Sequence, residues 1–298
     1  MRLLTNPGSN LPPSALARYD IVLARQQVAV DHAQHDTPTD LALSVVDGWI
    51  AGARTFPKSL GSSAADLVPL FLDAASADSE LLVLTSSKRL IPTYQSSLAA
   101  AATVRARRGP SKLIISVFDT RTTDLGAGRL AIAAGEWVRA GVTRAPLLEA
   151  LEVLAERGQM AIHISNLHHA MKSGRASFLK AWTATVLKLR PILGLADGDL
   201  RILGRVRAQD DPVEGLVEHL RERVPIGTRV WLGVVHGNER AQAERCLGRL
   251  RERYDVAFAM VRPLSSSVYL YAGAGAVGAF LIPVDDLPVA LPVPAPAF

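Results

Sequence analysis

Residues 85–95, Thr-Ser-Ser-Lys-Arg-Leu-Ile-Pro-Thr-Tyr-Gln, concentrate hydroxyls and a carboxamide between an apolar run, Leu81-Leu82-Val83-Leu84, and an alanine-rich stretch at 96–104. A carboxylate or phosphate suits such a loop. In an open α/β sheet the crevice beyond the carboxyl ends of the strands is where ligands bind, because free helix N–H groups and the helix dipole favour an anion there. Ser and Thr also stand at helix starts simply as caps, and Pro92 fits a first helical turn, so capping accounts for the same residues.

Other residues with chemical potential carry less. Gly273-Ala274-Gly275-Ala276-Val277-Gly278 has the spacing of a dinucleotide-binding loop, but only residues 279–282 separate it from Pro283, too few for the helix and distal acid that such a loop needs. Its glycines are expected to let backbone approach a ligand or a neighbouring strand. Ser177-Phe178-Leu179-Lys180 has the spacing of an acyl-transferring serine motif without its partner signatures. His163, His168 and His169 are close in sequence but lack the further ligands of a metal site. His32 and His35, with Asp31 and Asp36, read as a polar turn. The formal net charge of +5 comes mainly from arginine. Arg245, Arg249 and Arg253 recur at helical spacing beside Glu239, Glu244 and Glu252, as on a solvated, ion-paired face, so nucleic acid is not an expected partner.

Around these residues, short apolar runs alternate with longer amphipathic or alanine-rich segments, which is the pattern of βαβ units and a parallel sheet. Strands are expected at 2–5, 21–23, 81–84, 112–118, 161–164, 230–235, 257–261 and 268–272. Helices are expected at 38–53, 64–75, 93–106, 128–140, 145–157, 178–188, 211–223 and 239–254. The chain has 298 residues, 49% hydrophobic and 20% charged with only 5% aromatic, enough for two domains with aliphatic cores. The division is placed at Gly158, giving units at 1–158 and 159–286, with the proline-rich residues 287–298 as an extended tail. A single cysteine, Cys246, rules out an internal disulfide, so a cytoplasmic location is the expectation. No run approaches the ~18 apolar residues of a membrane span, and the first residues lack a signal-peptide core.

Several segments, in order, resemble one family. Leu4-Thr5-Asn6-Pro7-Gly8-Ser9-Asn10-Leu11 looks like an opening T-D-S-T-A-D-L, and residues 57–66, Pro-Lys-Ser-Leu-Gly-Ser-Ser-Ala-Ala-Asp, share the frame of P-K-T-S-Q-P-S-P-G-D. Thr93-Tyr94-Gln95-Ser96 ends its loop as L-S-G-T-Y-Q-S-A does. Val117-Phe118-Asp119-Thr120 with Gly126 and Gly128 is similar to V-I-D-S followed by Gly-x-Gly. Lys172 to Ser177 resemble G-G-R-I-S, Leu189 to Leu193 resemble I-K-P-I-L, and Asp197-Gly198 with Gly204 to Arg207 match D-G and K-x-R. Gly273 to Gly278 fill the place of H-x-G-P-G-A-L-G. The family is DegV, bacterial fatty-acid-binding proteins, of which this chain looks like a divergent member.

The resemblance implies two α/β domains, the first a parallel sheet flanked by helices and the second mixed, with a long-chain fatty acid or similar acyl lipid between them and no other cofactor. It implies a carrier that performs no chemistry and presents the acyl carboxylate to a separate fatty acid kinase. The family's head-group residues carry over by position to Ser59, Ile91 and Tyr271. Ser59 keeps a hydroxyl, Tyr271 keeps a donor without an imidazolium's charge, and Ile91 offers nothing polar. Ser86, Ser87 or Thr93, and Ser62 or Ser63, are the available substitutes, with Gly273 and Gly275 close by. Arg175 and Arg207 match family arginines as candidate phosphate or partner contacts. The competing readings are an enzyme acting at the interdomain cleft and a regulatory protein with a vestigial lipid pocket.

Overall fold

The computed structural model describes residues 1–77, 80–108, 113–165, 167–173, 189–207 and 209–294. The first part of the chain runs β1 (Arg2–Thr5), a 3₁₀ turn (Pro7–Ser9), α1 (Pro13–Arg18), β2 (Ile21–Leu23), β3 (Gln27–Val30), β4 (Ala33–Asp36), α2 (Leu43–Gly52), β5 (Lys58–Gly61), α3 (Ala64–Ala77), β6 (Glu80–Thr85), α4 (Thr93–Arg108), β7 (Ile114–Asp119), α5 (Leu125–Arg139) and α6 (Arg144–Arg157). The rest runs β8 (Gln159–His163), α7 (His168–Lys172), β9 (Leu189–Ala196), β10 (Asp199–Arg207), α8 (Pro212–Arg221), β11 (Arg229–His236), α9 (Arg240–Arg251), β12 (Asp255–Pro263), α10 (Ser266–Ala272) and β13 (Val277–Pro283).

Among the described residues three sheets form. The first is parallel throughout, in the order β2-β1-β6-β7. Its central strand β6 is buried along Leu81 to Thr85, as a strand covered on both faces must be. The second is mixed, in the order β10-β9-β8-β13-β11-β12, with only β11 and β12 parallel. The chain is therefore α/β with a parallel sheet followed by a mixed one. A third, antiparallel ribbon, β4-β3-β5, lies at the rim.

The two large sheets are held apart by α5, which packs on β1 and β6 from one side and on β11 and β13 from the other. That position explains why Leu125 to Trp137 are buried without interruption. One apolar core joins Leu3, Leu84 and Phe118 of the first sheet to Trp231, Phe258 and Phe280 of the second. A second core lies under α3 and α4, where Leu67, Phe71 and Val104 meet Leu81 and Val83. A third lies under α8 and α9, where Leu216, Leu220, Cys246 and Leu250 meet Val230, Leu232 and Val234. The layers thus read helix, sheet, helix, sheet, helix.

Three sequence expectations are corrected. Residues 268–272, expected as a strand, lie in α10, because Val-Tyr-Leu-Tyr-Ala is a short apolar run in which helix and strand periods cannot be told apart. Gly273, at φ +72°, stops that helix. The polar turn expected around His32 contains β4, and α2 begins at Leu43 rather than at 38. The helix expected at 178–188 lies outside the described residues. In the tail, residues 287–294 form neither helix nor strand, yet Leu287, Val289 and Leu291 pack on the central core and the indole of Trp137 donates to Ala290 O at 3.1 Å.

Three arginines of α9 are ion-paired, Arg240 with Glu244, Arg245 with Asp211 and Arg249 with Glu214, each at 2.8 Å. No helix among the described residues is long and apolar enough to cross a membrane.

Candidate functional site

The order of the first sheet reverses between β1 and β6, since β1 leads to β2 on one side while β6 and β7 lie on the other. A crevice opens at the carboxyl ends of strands that diverge in this way. There the loop after β1 brings Gly8 beside the loop after β6: a Cβ on Gly8 would stand 3.2 Å from the hydroxyl of Ser86 and equally close to Asn6 Oδ1 and Gln26 Oε1. Glycine is what lets these polar groups converge.

Beyond this point lies a cavity of about 490 Å³, enclosed by the second sheet and by α10. On β8, Met160 and Ile162 face it, followed by Ile164 just past the strand end, a two-residue alternation that sends His163 to the opposite face. Leu193 and Leu195 of β9 and Leu200 of β10 extend the same apolar wall. From α10 come Val268, Tyr271 and Ala272, residues that share one face of a helix but on a strand would put Tyr271 opposite the other two. Here the misread element matters most.

The polar end is built from both halves of the chain. Ser59, 6% exposed on β5, gives its backbone N–H to the phenolic oxygen of Tyr271 at 3.0 Å. The register between β3 and β5 shifts beside this contact, between Gln27 and Val28. Ser86 is 3% exposed and its hydroxyl meets no acceptor or donor among the described residues. Arg89 and Arg201 stand where the wall reaches the surface, Arg201 paired with Asp199 at 2.8 Å.

The remaining sequence-predicted residues divide. Ile91 lines the cavity as an apolar group and packs against Gly61, whose φ of +75° brings it close. Ser87 is fully buried but structural: its hydroxyl donates to Gly198 O at 2.6 Å and accepts from the Arg89 N–H at 3.2 Å, joining the β6 loop to the β9–β10 turn. Thr93 opens α4, and its hydroxyl oxygen accepts from the Ser62 N–H at 3.1 Å and from Asn6 Nδ2 at 3.3 Å. Both therefore hold the loop rather than face the cavity. Gly273 and Gly275, at φ +72° and +77°, sit in the turn between α10 and β13, packed against His169 and Ser165, and border the cavity only through α10. Arg207 is exposed at the far end of β10, and Arg175 lies outside the described residues.

A buried hub positions α10. Asp124, at φ +53°, accepts from Asn10 Nδ2 at 2.6 Å, from the Leu125 N–H at 2.9 Å, and from the Ser265 N–H and hydroxyl at 2.9 and 2.8 Å. Burial raises its pKa, and these four donors oppose the rise. The hub ties the β1 loop, the start of α5 and the start of α10 together, and so fixes where Tyr271 points. Burial and the neighbouring His168 lower the pKa of His169, which stacks near Phe56 at 5.7 Å behind α10. Among the described residues no group of three or more His, Cys, Asp or Glu side chains could hold a metal ion.

The sequence reading names neither Arg89, which lies within the hydroxyl loop, nor the apolar wall of Met160, Ile162, Leu193 and Leu200. Alternation along β8 was a usable signal for the wall. Which face of β8 borders a cavity is a tertiary matter.

The model of the DegV family, described as an uncharacterised protein family, matches residues 1–284. The chain belongs to the DegV family. Among its DegV relatives, a fatty acid-binding protein of Thermotoga maritima is 26% identical over 283 residues, covering 93% of this chain and 96% of the relative. A DegV domain-containing protein of Deinococcus radiodurans is 28% identical over 289 residues, covering 95% and 98%. Among solved DegV structures, one from Thermus thermophilus, described by its fatty acid binding, superposes with a TM-score of 0.84 at 22% identity, covering 95% of this chain and 99% of that one. The shared two-layered sheet architecture is therefore the DegV fold.

Proposed function

We propose that the chain binds a long-chain fatty acid or similar acyl lipid in the cavity between the two sheets, as a carrier that performs no chemistry itself. The observation that carries this reading is the cavity's polarity: an aliphatic wall from Met160 to Leu200 with Ser59, Tyr271 and Ser86 at one end. An acyl chain gains about 0.8 kcal/mol per buried CH₂, while its carboxylate must be hydrogen-bonded or paired. Ser86 and Ser59 supply hydroxyls, and Arg89 at the rim supplies a charge. The volume of about 490 Å³ lies in the range of small-molecule sites. The names of the Thermotoga and Thermus relatives support the same ligand class.

Division of the chain at Gly158, between α6 and β8, makes this an interdomain cavity. Presentation of the carboxylate to a fatty acid kinase rests on the family resemblance. Arg207, six residues and roughly 20 Å along β10 from Arg201, is assigned to such a partner rather than to the ligand.

Native mass spectrometry of protein purified from its host, followed by solvent extraction, tests the reading. An acyl ligand, or stoichiometric uptake of added fatty acid, is expected; neither bound lipid nor uptake would overturn it. Ser59→Ala is expected to weaken fatty acid binding by about 1 kcal/mol or more, the scale of one lost charge-assisted hydrogen bond.

A further inference from the structure

One arginine is fully buried with no described carboxylate against it. Arg129, the fifth residue of α5, is 0% exposed. Its Nη2 donates to the carbonyl of Phe280 at 2.7 Å, and its guanidinium carbon lies 5.8 Å from the centre of the Phe280 ring. Nε and Nη1 find no acceptor among the described residues. The neighbouring strand makes room for the group, since a Cβ on Gly233 of β11 would collide with Nη1.

A buried cation without a counter-charge is unstable in a low-dielectric interior. Burial pulls the pKa of Arg129 down to about 9, which still leaves it charged at neutral pH. The positive end of α5 is only a turn away and adds to the charge instead of offsetting it. Phe280 offers a carbonyl and a ring face, neither of them an anion.

Arg129 borders a second cavity, of about 770 Å³, which shares Arg89, Met160 and Leu195 with the first. Its walls carry four further cations, Lys88, Arg89, Arg121 and Arg223, against the carboxylates of Asp119, Glu156 and Asp197. Two of those carboxylates are already engaged, Asp119 with Lys88 and Glu156 with Arg121, each at 3.6 Å. With Arg121 also held by Glu152 and Arg223 by Glu222, Arg89 and Arg129 are the cations of this wall without an ion pair among the described residues.

We propose that this second cavity is a binding site for a small oxyanion, a carboxylate or phosphate group, with Arg129 at its inner end and Arg89 or Arg121 nearer the surface. The unpartnered Nε–H, on the same edge of the guanidinium as Nη2, offers an oxygen of either group a charge-assisted hydrogen bond, and Nη1 on the other edge offers a second. Gly233 is the residue that leaves room for Nη1 against β11. The site adjoins the acyl cavity, with which it shares Arg89, and its assignment rests on Arg129 rather than on that cavity's ligand.

The test uses the full chain, with inorganic phosphate and acetate titrated separately at constant ionic strength and followed by calorimetry and by melting temperature. Acetate can also meet the head-group end of the acyl cavity, so the comparison with Arg129→Met, rather than uptake by itself, assigns binding to this site. At least one probe is expected to bind and to raise the melting temperature, and the comparison of the two arms tells a phosphate site from a carboxylate site. Arg129→Met is expected to lower the affinity at least about tenfold, with Arg129→Lys retaining part of it. No binding to the wild type, or equal binding to Arg129→Met, overturns the proposal. Should the methionine variant fail to fold, diffraction from wild-type crystals grown in bromide decides: an anomalous peak beside Nε or Nη1 of Arg129 is expected, and peaks confined to exposed arginines overturn the proposal.

Discussion

The phenolic oxygen of Tyr271 accepts the backbone N–H of Ser59 at 3.0 Å, joining two residues 212 positions apart at the polar end of one cavity. The contact locks α10 to β5 and leaves the Tyr271 ring against the acyl wall. Tyr271→Phe removes the acceptor from a part-buried N–H, a loss on the scale of about 1–2 kcal/mol. Both the urea midpoint and the affinity for fatty acid are expected to fall. A variant with wild-type stability and wild-type affinity would show that the contact organises neither.

Ser86 separates folding from binding. Its buried hydroxyl meets no described partner, so its removal sacrifices no protein hydrogen bond. Ser86→Ala is expected to unfold within about 0.5 kcal/mol of wild type, or slightly later, because an unsatisfied polar group is itself destabilising. Fatty acid affinity is expected to drop at least about fivefold if the hydroxyl donates to the carboxylate. Parallel urea titrations and binding isotherms make the comparison, and a large stability loss with unchanged affinity contradicts the assignment.

The strand Leu81 to Leu84 and the loop that follows it were legible because a parallel strand covered on both faces is continuously apolar and its carboxyl end is where polar residues gather. Within that loop, side-chain direction was not legible. Ser86, Ser87 and Thr93 are equivalent hydroxyls in the sequence, yet only Ser86 faces the cavity, because Gly198 captures Ser87 and Ser62 captures Thr93 from distant segments. Tyr271 was placed by family resemblance while its helix was read as a strand, since Val268 to Ala272 carry strand-forming side chains that only tertiary burial turns into a helix. The ribbon β4-β3-β5 went unread because its strands are only four residues long, and β4 and β5 mix polar with apolar side chains without a sustained alternation. Arg129 follows Gly126 and Gly128, which match the family's Gly-x-Gly, while the basic residue inside an otherwise apolar helix is the stronger signal.

The apolar wall sets how much chain the cavity can hold. Leu193 is 1% exposed and lines it from β9, so Leu193→Phe projects a larger side chain into the space an acyl tail would use. Long chains are expected to lose about 0.8 kcal/mol for each methylene excluded, while shorter acids that end before Leu193 keep their affinity. A series of saturated acids titrated against both proteins reads this directly. A uniform loss at every chain length would place the tail elsewhere.

His163 gives the fold a pH dependence that is separate from ligand binding. It ends β8 on the face away from the acyl cavity, 1% exposed, with neither ring nitrogen bonded to a described residue. Burial, and secondarily the charge of Arg190, pulls its pKa from 6.5 down to about 4. Between these two values the unfolded chain holds a proton that the folded chain does not, so stability is complete above the unfolded pKa and is lost as pH falls toward the folded one. The shift corresponds to ~3 kcal/mol at most across that window. Urea unfolding at about pH 4.5 and about pH 7.5 is expected to show this loss in the wild type and a flatter response in His163→Gln, which keeps a polar group of similar size but cannot titrate. The same slope in both proteins would assign the acid sensitivity to other groups.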